Sequence, residues 1–391
     1  MNQKNFPKII LAVLVFLLFA GGAGYIIFGD TISQKLKSSE NKEAVQVPSE
    51  TNENTKEIPN GSVAFIKNSQ LFLANFDGSE PELSTNDPVF IAEQSPDGKY
   101  IVYVERLANS SEEVTKIVDV NTRVVSQIVS HPRRLATNEI FASRPRWSSK
   151  GTIVAWQLTQ RREGQEVNNL EYYDLQEREI HYVKNPSTDY IEFGRIYNFE
   201  LSSSGQFIAV LGDMQNEAGE MVRGIALYDT SKDQSTTVML ETPAQTPVRD
   251  EMFFDANEYL HYGVLAEAGG PQPNVWITYN TSVGTRDVAT IQPAYWNNLR
   301  YGVRSFLGDK VAALCPSIPG DICVADRNGL QSRVIVSRDA LGLSDMYIGD
   351  FFFSADSQYI IFRAGLKNAP GRLFLWSIPS DGGTPRQILE L

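Results

Sequence analysis

The sequence predicts an all-β fold, and three observations predict it. A unit of about fifty residues repeats through most of the chain, each copy opens on a short polar turn, and each turn leads into an apolar run rich in β-branched and aromatic residues. The clearest copies are Ser95-Pro96-Asp97-Gly98-Lys99-Tyr100-Ile101-Val102-Tyr103, Ser148-Ser149-Lys150-Gly151-Thr152-Ile153-Val154-Ala155-Trp156 and Ser202-Ser203-Ser204-Gly205-Gln206-Phe207-Ile208-Ala209-Val210. Three weaker copies begin at Asp255, Phe306 and Ser354, so successive copies start 53, 54, 53, 51 and 48 residues apart.

A second landmark keeps the same period. Each copy is followed by another apolar run that ends in an acidic or polar turn: Ile117-Val118-Asp119, Tyr172-Tyr173-Asp174, Leu227-Tyr228-Asp229, Thr278-Tyr279-Asn280, Val324-Ala325-Asp326 and Leu375-Trp376-Ser377. Each unit then offers four short strands: one before the first turn, one after it, one at the second landmark and one beyond. Four antiparallel strands per repeat make the blade of a β-propeller. Upstream of the first copy, Ser62 to Ile66 and Gln70 to Gly78 repeat the last three strands of a blade. Six copies and one partial copy favour seven blades, with six as the alternative.

The N-terminal sixty residues do not share the repeat. Ile9 to Phe28 are twenty residues without a charge, and a helix of that length matches the roughly 30 Å hydrocarbon core of a bilayer. Residues 9–28 are therefore expected to be a transmembrane anchor. Lys4 and Lys8 favour keeping residues 1–8 in the cytoplasm. The rival is a cleaved signal peptide, for which Ala20 to Gly24 supply the small residues; Tyr25 to Phe28 continue the apolar run past that point. Residues 29–60 are polar, mix both signs of charge and hold little that could pack, so they form a flexible linker. The repeats occupy 61–391.

Composition sets further bounds. Of 391 residues, 42% are hydrophobic and 21% charged, an ordinary globular balance that excludes a disordered or disulfide-scaffold chain. The net charge of −12 argues against non-specific nucleic-acid binding, which needs a surplus of Lys and Arg. The first 60 residues are neutral in sum, so the repeat region is the acidic part.

The run from Ser95 to Tyr103, matched again from Ser202 to Val210 and from Ser354 to Phe362, resembles the TolB-like, WD40-like β-propeller repeat. The resemblance covers residues 61–391, although the copies at Asp255 and Phe306 depart from it in the turn. It implies a propeller of the kind that commonly serves as a protein-interaction scaffold in the cell envelope. Some propellers of this type precede an α/β-hydrolase domain in peptidases, and others act as polysaccharide lyases through histidine-rich metal sites. The last repeat runs up to Leu391, so a hydrolase domain is not expected here.

Strand alternation alone puts the first–second and third–fourth turns of each blade on one face of the disc, and the other connections on the opposite face. The former are short. The latter, such as 158–169, 212–223 and 266–273 within units and 130–143, 185–196 and 292–304 between them, run to about a dozen residues, beyond hairpin range. Long loops on a rigid scaffold carry binding sites. They hold Arg133, Arg134, Tyr190, Phe193, Arg195, Tyr197, Tyr295, Trp296, Arg300 and Tyr301, residue types that dominate binding hot spots. These ten are the candidate binding residues.

Motifs for chemistry are sparse. There is no Gly-x-Ser-x-Gly elbow, no His-Glu-x-x-His and no P-loop. His131, His181 and His261 fall in different repeats, so no metal and no cofactor are expected. Asp97, Asp174, Asp229 and Asp326 recur in tight turns, where side-chain to backbone hydrogen bonds explain them better than Ca²⁺. No catalytic residue is assigned and no enzymatic activity is expected. Cys315 and Cys323 flank a loop between neighbouring strands and are candidates for a disulfide, which suits an oxidising compartment. Asn60, Asn109 and Asn280 sit in Asn-x-Ser sequons.

The functional expectation is a single-pass protein of the cytoplasmic membrane, N-terminus inside, whose propeller binds protein partners of the envelope through its long-loop face. The alternative is a receptor or sensor for a small ligand or glycan at the channel mouth beside Tyr295, Trp296 and Arg300. A propeller enzyme ranks third.

Overall fold

The computed structural model describes residues 62–390 apart from 76–81, 84–87, 107–111, 133–139, 163–164, 187–191, 217, 242–247, 265–274, 290–297, 300–301, 316–319, 339–345, 355 and 367–371. These residues belong to the second of two compact units, which spans Glu57–Leu391. The expected membrane segment at 9–28 lies outside them. Among the described residues no helix is long and apolar enough to cross a membrane.

The strands fall into seven antiparallel sheets. The first has three strands: β1 (Ser62–Lys67), β2 (Gln70–Asn75) and β3 (Glu82–Leu83). The next is β4 (Val89–Gln94), β5 (Tyr100–Arg106), β6 (Glu112–Asp119) and β7 (Val125–Pro132). The following sheet splits its inner strand into β8 (Ile140–Ala142) and β9 (Arg146–Trp147), continues through β10 (Ile153–Arg162), β11 (Gln165–Asp174) and β12 (Glu179–Tyr182), and adds β13 (Glu192–Phe193) beside β11. Then come β14 (Ile196–Leu201), β15 (Phe207–Gln215), β16 (Met221–Asp229) and β17 (Gln234–Leu240), followed by β18 (Val248–Phe254), β19 (Leu260–Val264), β20 (Val275–Asn280) and β21 (Thr285–Ala289). The last two are β22 (Val303–Arg304), β23 (Lys310–Leu314), β24 (Ile322–Asp326) and β25 (Arg333–Val336), then β26 (Met346–Phe353), β27 (Tyr359–Leu366), β28 (Leu373–Pro379) and β29 (Arg386–Glu390). Among the described residues five sheets are four-stranded blades in sequence order and a sixth is the same blade with its inner strand split and β13 added, so the molecule is a six-bladed propeller with a three-stranded sheet inserted where the ring closes.

The favoured count of seven blades is thereby corrected. Residues 62–83 supply three strands, and no described residue adds a fourth to them. Their place also differs from expectation. β1 takes the inner position beside β4, where the Ala64 N–H donates to Gln94 Oε1 at 3.0 Å, so this sheet holds the inner strands of a unit and not the last three. It packs on both neighbours: Val63, Phe65 and Ala74 lie against Ile361 and Leu375 of the last blade, and Leu71 and Leu73 against Val89 and Ile101 of the first.

Two-sided burial explains the second-strand runs. In β15, Ile208 and Val210 face the preceding blade with Tyr172 and Phe193, while Phe207, Ala209 and Leu211 face the following one with Met252 and Tyr262. Alternation points successive side chains to opposite faces, and both faces are core, so the strand reads as an unbroken apolar run. Complete burial of one such Ile or Leu is worth about 1.5–3 kcal/mol.

The turn motif has an equally local cause. Ser95 Oγ accepts the Tyr100 N–H at 2.9 Å and donates to Asp97 Oδ1 at 2.6 Å, while Asp97 Oδ1 accepts the Lys99 N–H at 3.1 Å. Ser354 and Asp356 repeat these bonds with Tyr359 and Gln358. Ser148 and Ser202 cap the second strand in the same way. In the degenerate copies Asp255 Oδ1 accepts N–H from Asn257 and Tyr259, and Ser305 Oγ accepts the Lys310 N–H. The fifth copy thus starts at Ser305, one residue before Phe306. The first–second turns 95–99, 148–152, 202–206, 255–259, 305–309 and 354–358 are all of one length.

Position four of the turn takes the left-handed conformation: Gly98, Gly151, Gly205 and Gly308 have φ between 66° and 82°, and Glu258 and Ser357 stand there at 65° and 60°. A Cβ on Gly205 would also come within 2.6 Å of Thr152 Oγ1 and 2.9 Å of Ile153 Cγ1 in the preceding blade. Gly219 has the same φ of 82° with nothing within 4 Å. Gly219→Ala is expected to cost the backbone term alone, about 1–2 kcal/mol. Gly205→Ala is expected to cost clearly more, since blade packing must also give way. Urea unfolding of the two variants compares them; equal losses would refute the interblade contact.

Candidate functional site

The inner strands surround a central cavity of about 1020 Å³. Its wall includes Glu93 and Gln94 of β4, Arg144 from the break between β8 and β9, Arg146 and Trp147 of β9, Tyr197 to Phe199 of β14, Arg304 of β22 and Gly349 to Phe353 of β26. It reaches the short-turn face, where Ser95 to Lys99 also line it. Arg363 enters from β27, the second strand of its blade. The β26–β27 register slips between Ile348 and Phe351, and Gly349 and Asp350 form the bulge opposite Arg363. Bulges re-aim side chains next to sites, and here one opens the inner strand at Arg363.

Arginines lace neighbouring inner strands across this wall. Arg146 Nη1 donates to Asn198 Oδ1 and Glu200 Oε1, both at 3.1 Å, and to the Phe199 carbonyl, with its guanidinium 4.6 Å from the Phe199 ring centroid. Arg144 pairs with Glu93, and Trp147 Nε1 donates to the Glu93 carbonyl at 3.3 Å. Arg304 donates to the Phe254 and Arg327 carbonyls at 2.9 and 3.2 Å. Arg363 Nη1 lies 3.5 Å from Asp350 Oδ2.

The field in the channel differs from that of the chain as a whole. The described lining carries five cations, Lys99, Arg144, Arg146, Arg304 and Arg363, against the three carboxylates of Glu93, Asp97 and Asp350, in a protein of net charge −12. Burial pulls the Arg363 guanidinium below its ordinary value and nearby Arg144 adds to this, while Asp350 opposes both. Glu200, the partner of Arg146, keeps 32% of its side chain open; burial of the rest pushes its carboxyl up, against the lowering by Arg146 and Arg304.

Of the ten residues predicted for the long-loop face, Phe193, Arg195 and Tyr197 are described; Arg133, Arg134, Tyr190, Tyr295, Trp296, Arg300 and Tyr301 lie outside the described residues. Phe193 is 1% exposed in the interblade core, opposite Asn168 of β11, so it serves packing and is corrected as a binding residue. Arg195 is exposed, and Tyr197 lines the channel with its hydroxyl donating to Asp213 at 3.0 Å. Arg195 and Arg223 stand 5.7 and 4.3 Å from the Tyr197 ring centroid. The sequence reading missed Arg144, Arg146, Arg304 and Arg363. The first three sit on inner-strand segments whose pattern does not show which side faces the axis.

Two expected dozen-residue loops are corrected as well. Residues 158–169 and 212–223 are mostly strand, because β10 pairs with β11 out to Arg162–Gln165 and β15 with β16 out to Gln215–Met221. They project as long hairpins. Cys315 and Cys323 are joined by a disulfide, with Cα atoms 5.1 Å apart. The turn aspartates bond to backbone: Asp119, Asp174 and Asp326 each accept two N–H groups through Oδ1.

His261 lies between Asp255 Oδ2 at 3.1 Å and Thr278 Oγ1 at 3.0 Å, stacked on Phe253 with centroids 4.8 Å apart. This order of groups resembles a hydrolytic relay, but Asp255 also holds its own turn and the imidazole is 6% exposed. The arrangement locks the turn. Burial pushes the Asp255 carboxyl up, but the hydrogen bonds from His261, Tyr259 and Asn257 outweigh it and hold the group below the usual carboxylate range. A lowered pKa contributes stability in full above the unfolded value of about 3.9 and loses it as pH falls through the folded value. In His261→Phe the loss is expected to begin at higher pH, and stability at neutral pH to fall by about 1–3 kcal/mol. Urea unfolding across the acid range measures both, and an unshifted acid limb would contradict the lock.

No protein-family model matches the chain, and no curated protein does. Among solved structures, TolB from Acinetobacter baumannii is similar at 14% identity over 82% of this chain and 77% of that one, with a TM-score of 0.41. An oligogalacturonate lyase from Vibrio parahaemolyticus is similar at 10% identity over 80% and 84%, TM-score 0.48. Dipeptidyl peptidase 4 from Porphyromonas gingivalis is similar at 14% identity over 84% of this chain and 50% of that one, TM-score 0.44. The likeness is one of fold, that of a β-propeller. The expectation of a non-enzyme is corrected: a lyase and a peptidase stand among the matching propellers, so this architecture is no mark of a non-catalytic protein.

Proposed function

We propose that this chain is an interaction scaffold: a propeller that presents its long-connection face to protein partners, held outside the cytoplasmic membrane by residues 9–28. The observation that carries the reading is the asymmetry of the disc. One face is closed by first–second turns of a single short length, while the other bears the projecting hairpins β10–β11 and β15–β16 and the between-blade connections. A rigid scaffold with its variable segments gathered on one face is built for recognition. Arg195, exposed beside the channel-lining Tyr197, belongs to the connection that enters β14 on that side. The Cys315–Cys323 disulfide supports an oxidising compartment.

Cross-linking with mass spectrometry on the full chain in its membrane tests the reading. Cross-links are expected to concentrate on the long-connection face, and Arg195→Glu combined with Tyr295→Ala, Trp296→Ala and Arg300→Ala is expected to remove a stoichiometric partner. Cross-links that survive this variant, or that map to the short turns, would overturn it. For the compartment, peptide mapping without reduction is expected to return Cys315 linked to Cys323. Alkylation of both as free thiols would withdraw that support.

A further inference from the structure

We infer that the central channel is a binding site for a small organic acid, whose carboxylate is held between Arg144 and Arg363 and whose body lies against the aromatic wall. The channel reaches the short-turn face at Ser95 to Lys99.

Four features of the cavity lead to it. The first is the inverted charge of the lining, which concentrates anions in a channel with low-dielectric walls. The second is the division of labour among the arginines. Arg146 and Arg304 are taken up by neighbouring inner strands, through the Phe199, Phe254 and Arg327 carbonyls. Arg144 and Arg363 instead meet carboxylates in pairs with one open member: Arg144 is 61% exposed beside a mostly covered Glu93, and Arg363 faces Asp350, which is 58% exposed. An incoming carboxylate can exchange with such pairs, because exposed ion pairs are worth little.

The third feature is an unmet donor. Arg363 Nε is buried and has no hydrogen-bond partner, although its guanidinium is held in the wall behind the Gly349–Asp350 bulge. A guanidinium presents its donors as a fork that matches a carboxylate in two bonds. The like charge of Arg144 reaches Arg363, and an anion between the two relieves that repulsion. The fourth is the rest of the lining. Trp147, Phe306, Phe351 and Phe352 give the cavity a large apolar and stacking surface, and about 1020 Å³ is at the upper end of small-ligand pockets, which run to roughly 1,000 Å³.

Calorimetric titration of the full chain with trimesate, an aromatic ring bearing carboxylates, tests the inference against its neutral triamide and against a hexaglutamate peptide. Trimesate is expected to bind saturably, more weakly as salt rises, and the triamide not to bind. Arg144→Gln and Arg363→Gln are each expected to weaken binding by about tenfold or more, the loss of a charge-assisted hydrogen bond. Glu93→Gln and Asp350→Asn release the competing carboxylates and are expected to tighten it, a gain that a structural role would not produce. These two keep the test decisive if an arginine variant fails to fold. No saturable trimesate binding, binding equal to that of the triamide, or binding unmoved by all four substitutions would overturn the site. Binding of the peptide without trimesate would overturn it too, by making the channel a receptor for an acidic chain segment.

Discussion

Each sheet of this propeller is a slab between two others, and that placement governs what its sequence can be. A strand at the middle of a blade must be apolar on both faces, as β15 is with Ile208 and Val210 on one side and Phe207, Ala209 and Leu211 on the other. The same demand closes the ring. Among the described residues the three-stranded sheet of 62–83 gains no outer fourth strand, yet it has two apolar faces, and it is held because Val63 and Phe65 meet the last blade while Leu71 and Leu73 meet the first. A one-faced sheet in that position would leave one neighbouring blade wet.

Slabs packed this way need a uniform way of reversing the chain at the edge, and the turn hydroxyl supplies it. Ser95, Ser148, Ser202, Ser305 and Ser354 each satisfy a backbone N–H at the entry to the second strand, at distances of 2.9–3.2 Å. Asp255 does the same with a carboxylate, and His261 then holds that carboxylate. The copies therefore diverge in letters while keeping one acceptor at one position. The left-handed residue is looser: Glu258 and Ser357 occupy it without being glycine, and Glu258 Oε1 accepts the Ser204 N–H at 2.7 Å from the adjacent turn. A contact between blades offsets part of the conformational cost within one.

This explains how far the fold was legible. Period, strand order and two-faced burial are local or nearly local, so Tyr100 to Tyr103 and Phe207 to Val210 announced them. Blade count was not, because whether 62–83 completes a blade depends on a fourth strand that no turn motif marks. Loop length misled where β10 and β11 continue pairing through polar residues such as Gln160 and Gln165, because a polar stretch reads as loop although its backbone goes on pairing. Of the candidate site less was legible still. Phe193 looked like a loop aromatic and is core, and the four channel arginines stand in three separate stretches of sequence, at 144–146, 304 and 363, that only the closed ring brings together.

That gathering is a consequence of geometry as much as of function. Near the axis the inner strands converge, and those of their side chains that turn to the channel have no neighbouring sheet to pack on, so polar residues with reach are suited to the place. Arginine meets both demands: Arg146 spans from β9 to β14 and covers the Phe199 ring with its flat face, bridging two blades where an apolar side chain would face the channel. If lacing were the whole account, each guanidinium would be matched as Arg146 is. Arg363 is not, since one donor is buried without a partner and its nearest carboxylate, Asp350, belongs to a bulge turned towards the channel. Mechanical lacing accounts for β9 and β22. Register slips also interrupt the inner strands β4, β14 and β18, so it is the half-satisfied guanidinium beside the Asp350 bulge, not the bulge by itself, that marks where this ring is built for something other than its own closure.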